Sequence, residues 1–157
     1  MILGGYMEIK LLGIEEILQH RESIVSLLCE NTIINLPQIP NPEQLALEDY
    51  DDLISYAKDG SLILIGALDE GILVGILWAY KRIFLNEPRI HLRDIIVDQS
   101  MRGKGAGQRM ENLLIELVRE KGLQKVELMV TASNEGAVNF YRRLGYCGTR
   151  ILMEKEI

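Results

Sequence analysis

The chain has 157 residues, of which 48% are hydrophobic and 25% are charged. This length suits one domain with a buried core, and the mix of residues excludes an intrinsically disordered chain. A net charge of −6, with no block of lysines or arginines, disfavours nucleic acid and anionic membranes as partners. Cys29 and Cys147 are single and far apart in sequence, which is typical of reduced thiols in a cytoplasmic protein.

The first part of the chain predicts one strand and two helices. Residues 8–12 form a candidate strand, and apolar residues then recur at helical spacing over residues 14–31. The proline-rich stretch 36–42 predicts an extended loop, which either faces a substrate or is a plain connector. A second helix is expected over residues 42–58, with Gly60 ending it.

Three strands are predicted next, over residues 62–68, 72–84 and 89–97. The most apolar stretch is interrupted by Asp-Glu-Gly at residues 69–71, which is typical of a turn. We therefore expect a β-hairpin there rather than a membrane span. Gly75 is a candidate for a bulge or bend in the middle strand.

A loop with three alternating glycines follows the third of these strands and precedes an amphipathic helix. Residues without a Cβ atom let backbone amides approach a ligand closely, and the first amides of a helix attract anions. The loop therefore predicts a phosphate site, with Gly103, Gly105 and Gly107 in the backbone and Arg102 and Lys104 adding positive charge. A tight turn with glycines for geometry alone is the alternative.

The helix after this loop is expected to end at Gly122, and the alternating residues 126–130 predict a strand reached by a right-handed parallel crossover. A further helix ends at Gly145, and residues 146–155 are predicted to close the chain as a strand. These elements predict an α/β fold of the α+β type. Its mixed, mostly antiparallel sheet has six or seven strands, with helices on both faces.

Two motifs resemble those of a known family. Residues 102–107, Arg-x-x-Gly-x-Gly after a strand, resemble the acyl-coenzyme A loop of the GCN5-related N-acetyltransferase (GNAT) family. Residues 134–146, Asn-x-x-Ala-x-x-Phe-Tyr-x-x-x-Gly-Tyr, are similar to that family's second motif. The resemblance implies one GNAT-like domain over residues 1–157. It also implies transfer of an acetyl group from acetyl-CoA to a primary amine of a small molecule or protein, without a metal.

The resemblance also implies which residues bind acetyl-CoA. Backbone amides of residues 102–107 would face the pyrophosphate, and backbone groups of Ile95 and Val97 would face the pantetheine arm. Asn134 matches a position that contacts this arm, and Arg143 lies where a basic residue is often near the phosphoadenosine end. The implied set is Ile95, Val97, Arg102, Gly103, Lys104, Gly105, Ala106, Gly107, Asn134, Tyr141 and Arg143.

Tyr141 matches the family tyrosine that lies near the thioester sulfur. A phenol with an ordinary pKa near about 10 is protonated at neutral pH and can give a proton to the departing thiolate. A tyrosine that only packs in the helix is the alternative.

The general base is less well defined, because His91 or Arg93 stands where better-known branches have a glutamate. Strand alternation puts both residues on one face and Asp94 on the other, unless a bulge intervenes. His91 is our candidate base, since an imidazole titrates near neutral pH. Ordered water with backbone carbonyls, or a histidine that is purely structural, are the rival interpretations.

Two residues are candidates for contact with the acceptor. A guanidinium at Arg93 would suit an acceptor with a carboxylate or phosphate beside its amine, although an ion pair with a neighbouring acid explains it as well. Trp78 is a candidate wall of the acceptor pocket, or part of the core. The acceptor itself is not encoded by any motif, and a homodimer is compatible with the sequence.

Two other function classes remain open. A non-catalytic acyl-CoA sensor would keep the loop, although the presence of Tyr141 argues against it. A dinucleotide-binding oxidoreductase would use Gly103-x-Gly105 and Glu127, but Gln108 replaces the third glycine and one crossover cannot build a doubly wound sheet.

Overall fold

The computed structural model describes residues 6–157, so the first five residues of the predicted domain lie outside it. Its strands are β1 (Glu8–Leu11), β2 (Leu62–Asp69), β3 (Ile72–Phe84), β4 (Glu87–Val97) and β5 (Val126–Glu127). Its helices are α1 (Ile14–Gln19), α2 (Arg21–Asn35), α3 (Pro42–Asp59), α4 (Ala106–Glu120) and α5 (Glu135–Arg143), with a short 3₁₀ turn at Gln99–Met101.

The strands form one sheet in the order β1-β2-β3-β4-β5, antiparallel except for the parallel pair β4 and β5. The predicted mixed, mostly antiparallel sheet is confirmed, and the proline-rich loop lies between α2 and α3 as expected. A bulge opposite Ala67 and Leu68 leaves Val74 without a partner beside Gly75. This is where the sequence predicted an irregularity.

The predicted strand count of six or seven is wrong, because the sheet of the described residues has five strands. Residues 128–130, expected to extend β5, and residues 146–155, expected to close the chain, are not strands. Both segments have the composition of strands. A strand also needs a neighbour for its backbone groups, and the described chain does not supply one there.

Two apolar cores lie on opposite faces of the sheet, because successive side chains of β2, β3 and β4 point alternately to each face. Helices α1 to α3 cover one core, and α4 covers the other. The first core includes Ile17, Ile24, Leu28, Leu53, Ile76, Trp78 and Ile96, and the second includes Ile65, Leu77, Ile90, Leu92, Met110 and Leu114. Helices on both faces were predicted, and the two cores confirm them.

None of the helices in residues 6–157 combines the length and the apolar character needed to cross a bilayer.

The packing of α4 against the second core can be tested by mutation. Leu114 has no exposed surface, so Leu114→Ala should leave a cavity and lower the free energy of unfolding by about 2–5 kcal/mol. Urea denaturation measures this change. Leu18→Ala is the control, because Leu18 is 57% exposed, and it should change stability by less than about 0.5 kcal/mol. Equal losses in the two variants would contradict this packing.

Candidate functional site

The glycine loop ends where α4 begins, and its geometry fits an anion. Gly103 and Gly105 have φ angles of 77° and 80°, a region that L residues adopt with strain. A Cβ atom at either position would meet nothing within 4 Å, so the space next to the loop is open. Gly105 is the N-cap of α4, and no side chain caps this helix. The first amides of α4 are therefore free to bind a diphosphate.

Gly107 has a different role, which is close packing. A Cβ atom there would lie 3.2 Å from Cζ of Phe140 in α5 and 3.5 Å from Cγ2 of Ile95 in β4. The missing side chain therefore lets the first turn of α4 meet both elements. The neighbouring Ala106 is buried in the second core.

The two cations of the loop make contacts with the protein itself. Nε of Arg102 donates a hydrogen bond to the carbonyl oxygen of Val97 at 3.0 Å, and its guanidinium lies 3.8 Å from Glu30 in α2. Nζ of Lys104 lies 3.4 Å from Sδ of Met101. Arg102 thus ties the loop to the end of β4.

Strands β4 and β5 pair over only two residues, Ile90 with Val126 and His91 with Glu127. Beyond that point β4 continues to Val97 and pairs with β3 alone. The β4 backbone from residue 92 to 97 therefore faces an opening on its β5 side. Ile95 and Val97 lie along this opening, next to the glycine loop.

A bulge in β4 changes which side chains share a face. Trp78 pairs with Asp94, but the next residue of β3 pairs with Leu92, so Arg93 is an extra residue without a partner. Simple alternation put Asp94 on the face opposite His91, and that expectation is wrong. Asp94 and His91 lie on the same face, because the bulge shifts the alternation by one residue.

Asp94 is a partly buried carboxylate with two side-chain donors. Nε1 of Trp78 donates to its Oδ2 at 3.1 Å, and Nδ2 of Asn31 donates to its Oδ1 at 3.3 Å. Nε of Arg93 lies 3.8 Å from Oδ2. Burial raises the pKa of Asp94 to about 6, although Arg93 and the two donors oppose this rise. Asp94 is therefore largely ionised at neutral pH and still basic enough to accept a proton.

A chain of amide side chains connects Asp94 to the start of α5. Asn35 donates from Nδ2 to Oδ1 of Asn31 at 2.7 Å, and Asn134 donates from Nδ2 to Oδ1 of Asn35 at 2.8 Å. Oδ1 of Asn134 accepts from the backbone N–H of Ala137 at 3.1 Å, which caps α5. Asn134 therefore links the second motif to Asp94 through α2.

Tyr141 lies in α5 against the second core. Burial, with a further contribution from the negative charge of Asp94, raises the pKa of Tyr141 to about 12. The rings of Phe140 and Tyr146 pack edge-on against it, at centroid distances of 5.3 and 5.8 Å. Its phenol is protonated throughout the physiological pH range, and its pKa responds to the charge of Asp94.

His91 belongs to a buried ionic cluster at the β4–β5 pair. Its Nδ1 lies 3.5 Å from Oε1 of Glu127, and its ring lies 5.2 Å from that of Tyr80. Arg82 and Arg89 also contact the carboxylate of Glu127. Burial lowers the pKa of His91, and the positive charge of Arg82 lowers it further. The imidazole is therefore neutral at pH 7.

Arg93 and Trp78 lie beside Asp94. Arg93 is partly exposed, with its guanidinium 3.3 Å from Oδ1 of Asp49 and 5.7 Å from the centre of the Trp78 ring. Trp78 is 1% exposed, and its indole N–H is bound to Asp94. The charge of Arg93 thus has two carboxylates as neighbours.

The structure brings most of the predicted residues to one opening. Gly107 of the loop packs against Ile95 and Phe140, and Ile95, Val97 and Tyr141 lie against the second core, whereas Arg143 is exposed at the end of α5. Sequence reasoning missed Asp94, although it is the only acid in the predicted strand 89–97. It also missed Asn31 and Asn35, for which nothing in the helical pattern of α2 signals a role.

Comparisons with known proteins agree with this geometry. A model of the Acetyltransferase (GNAT) family matches residues 28–146. The chain is 31% identical to the uncharacterized N-acetyltransferase YdgE of Bacillus subtilis, over 69% of this chain and 70% of that protein. It is 30% identical to the mycothiol acetyltransferase of Propionibacterium freudenreichii, over 69% of this chain but only 36% of that protein.

A solved structure has the same fold. It is the aminoglycoside N-acetyltransferase AAC(6')-Iy in complex with CoA, which superposes with a TM-score of 0.75 at 19% identity, over 99% of this chain and 98% of that chain. The family model matches most of this chain and YdgE is 31% identical over 69% of it, so the chain belongs to the Acetyltransferase (GNAT) family.

Proposed function

We propose that this protein is an N-acetyltransferase that moves the acetyl group of acetyl-CoA to a primary amine of a small molecule or protein. The observation that carries the proposal is the pair formed by Asp94 and Tyr141. One is a partly buried carboxylate with a pKa of about 6, and the other is a partly buried phenol with a pKa of about 12. The charge of Asp94 acts on Tyr141, and two groups with such separated pKa values suit a base and an acid at neutral pH.

Acetyl-CoA, when bound, supplies a thioester whose carbonyl carbon an amine can attack. Amine attack needs removal of a proton from the nitrogen, and Oδ1 or Oδ2 of Asp94 is the proposed acceptor. The departing sulfur needs a proton, and Oη of Tyr141 is the proposed donor. Trp78 and Asn31 hold the Asp94 carboxylate through its two oxygens, so its orientation is fixed before the amine arrives.

The binding residues in this proposal are those that the resemblance implied. Amides of residues 103–107 hold the pyrophosphate at the uncapped start of α4, with charge from Arg102 and Lys104. Backbone groups of Ile95 and Val97 receive the pantetheine arm, as an added strand does at a sheet edge. Asn134 is proposed to contact the pantetheine arm, and Arg143 to bind the phosphoadenosine end of the coenzyme.

His91 remains a rival for the base. Its low pKa keeps the imidazole neutral and able to accept a proton, but Glu127, Tyr80 and Arg82 already surround it. Arg93 is proposed to bind an anionic group of the acceptor, in competition with Asp49 and Asp94. Trp78 is buried, and its ring lies under the guanidinium of Arg93, where the acceptor is proposed to bind.

Two of the three compared proteins are named for their acceptors, mycothiol in one and an aminoglycoside in the other, and these acceptors differ. The activity is therefore best tested with acetyl-CoA and a panel of amines, by measuring thiol release. We expect release with at least one amine and a much lower rate with Asp94→Asn and Tyr141→Phe. Binding of CoA without release for any amine would instead favour the acyl-CoA sensor.

The pH dependence distinguishes the two candidate bases. Because Asp94 is protonated below its pKa of about 6, kcat/KM should rise with pH through this value and then level off. Asp94→Asn should lower kcat/KM by about 100-fold or more and remove this rise. Asp51→Asn, an exposed acid of α3, is the control and should keep the wild-type profile. If His91→Ala removes the rise and Asp94→Asn keeps it, His91 is the base.

Tyr141→Phe tests the proposed acid. Loss of the hydroxyl should lower kcat by about 100-fold and leave the dissociation constant for CoA nearly unchanged, since the ring is kept. Stopped-flow or steady-state thiol release gives kcat, and calorimetry gives the dissociation constant. Tyr146→Phe removes a neighbouring hydroxyl that binds Glu111, and should keep kcat near the wild-type value. A Tyr141→Phe enzyme with normal kcat would exclude this role.

A matched pair of glycine substitutions tests the loop. Gly105→Ala places a Cβ at a φ of 80° at the start of α4, and should raise the dissociation constant for CoA by about tenfold, because the amides shift. Gly60→Ala introduces similar strain at a φ of 78° at the end of α3, away from the loop, and should leave CoA affinity unchanged. Calorimetry with CoA measures both. Equal affinities for the two variants would argue against the loop as the pyrophosphate site.

A further inference from the structure

Two asparagines near the end of α2 lie between Asp94 and the start of α5, and the proposed chemistry uses neither of them. Asn31 and Asn35 are four residues apart, so their side chains lie on the same side of the helix, and both are partly buried. Asparagine is a poor helix former, so helix propensity does not explain the pair. Their side-chain amides bind groups of β4 and α5 instead.

The direction of this amide chain is fixed at both of its ends. The backbone N–H of Ala137 can only donate, so the atom of Asn134 that lies 3.1 Å from it is Oδ1. The ionised carboxylate of Asp94 can only accept, so the atom of Asn31 that lies 3.3 Å from it is Nδ2. Asn35 donates from Nδ2 to the backbone carbonyl oxygen of Asn31 at 3.0 Å, which fixes its own orientation. Every amide therefore donates in one direction, from α5 towards Asp94.

Asn35 determines which atom of Asn31 meets the carboxylate. Nδ2 of Asn35 donates to Oδ1 of Asn31 at 2.7 Å, and this bond keeps Nδ2 of Asn31 on the side of Asp94. An asparagine amide without such a partner can turn over and present its oxygen, which would repel a carboxylate. Aligned donors also polarise one another, so the bond to Asp94 is stronger at the end of a chain than alone.

The same chain joins the two elements that carry the proposed base and acid. Asp94 belongs to β4 and Tyr141 to α5. No residue of α5 is fully buried, so polar contacts contribute to holding this helix. The bond of 2.8 Å from Nδ2 of Asn134 to Oδ1 of Asn35 links the N-cap of α5 to α2, and Asn31 continues the link to Asp94.

Groups from five elements face the Asp94 carboxylate. They are Arg93 of β4, Trp78 of β3, Asp49 of α3, Asn31 of α2 and Tyr141 of α5. Burial raises the pKa of Asp94 most, and the negative charge of Asp49 raises it as well, whereas Arg93 and the two donors lower it. Loss of the hydrogen bond from Asn31 would therefore raise this pKa further, because the bond stabilises the charged form.

We propose that Asn31 and Asn35 are positioning residues for the Asp94 carboxylate. Asn31 holds one carboxylate oxygen, while Asn35 sets the orientation of Asn31 and connects it to the helix of Tyr141. The inference rests on the proposed function of Asp94 as the base. Since Trp78 holds the other oxygen, the plane of the carboxylate is fixed, and each oxygen keeps a lone pair for the proton of the amine.

Asn35→Ala tests this role, because Asn35 touches no reacting group. At pH 6, kcat/KM should fall by about tenfold and its rise should move to higher pH, since the Asn31 amide can now turn over. The dissociation constant for CoA, measured by calorimetry, should stay near the wild-type value, because the glycine loop is unchanged. Asn139→Ala, at an exposed asparagine of α5, is the matched control and should keep the wild-type profile.

Two further measurements show whether the effect passes through Asp94. In the Asp94→Asn background, Asn35→Ala should lower kcat/KM no further, because the group that it positions is gone. Carbon-13 NMR titration of the Asp94 carboxyl group needs no substrate and gives its pKa directly. This pKa should rise in Asn31→Ala and in Asn35→Ala, and it should be unchanged in Asn139→Ala.

The contrary outcomes separate this inference from the proposed function. If Asp94→Asn loses activity while Asn31→Ala and Asn35→Ala keep the wild-type pH profile and the wild-type pKa of Asp94, the positioning role is wrong and the base stands. A further loss from Asn35→Ala in the Asp94→Asn background would also overturn it, because Asn35 would then act elsewhere. If Asp94→Asn keeps full activity, the base itself is wrong and the positioning role falls with it.

Discussion

The separation of β4 from β5 is the feature on which the rest of the site depends. The two strands are held together at one end by Glu127, whose carboxylate lies among Arg82, Arg89 and His91. A buried charge needs several partners, and this carboxylate has them. Beyond this cluster the pairing stops, so the backbone of β4 is open from residue 92 to the glycine loop. The cluster thus lies where the pairing of β4 with β5 ends.

The bulge in β4 also has an electrostatic effect. The extra residue at the bulge, Arg93, moves Asp94 to the face of Trp78, where burial raises its pKa and two donors hold its oxygens. Tyr141 approaches the same place from α5, and the nearby carboxylate helps to keep its phenol protonated. The strand distortion and α5 together bring the proposed base, Asp94, within electrostatic reach of the proposed acid, Tyr141. The pKa of Asp94 would not be shifted in the same way on a regular, exposed strand.

Much of this arrangement follows from the sequence. Proline, glycine and apolar periodicity located most of the helices and strands through α5. The single helix expected over residues 14–31 is divided into α1 and α2, and the strand expected over residues 126–130 is only Val126–Glu127. Simple strand alternation predicted the wrong face for the Asp94 side chain. A bulge depends on how two strands pair, and not on the residues of one strand alone. The amide chain through Asn31 and Asn35 joins residues far apart in sequence, and no local pattern predicts such a contact. The final strand was expected from composition, but a strand also needs a partner edge, which lies outside the local sequence.

The central claim is that coenzyme A occupies the opening between β4 and β5, with its pyrophosphate on the loop before α4. A crystal structure of the protein with coenzyme A tests it most directly. We predict pyrophosphate oxygens within hydrogen-bond distance of the amides of residues 103–107, and the thiol sulfur next to Oη of Tyr141. Density for the nucleotide at another surface, or a sulfur far from Tyr141 and Asp94, would contradict it.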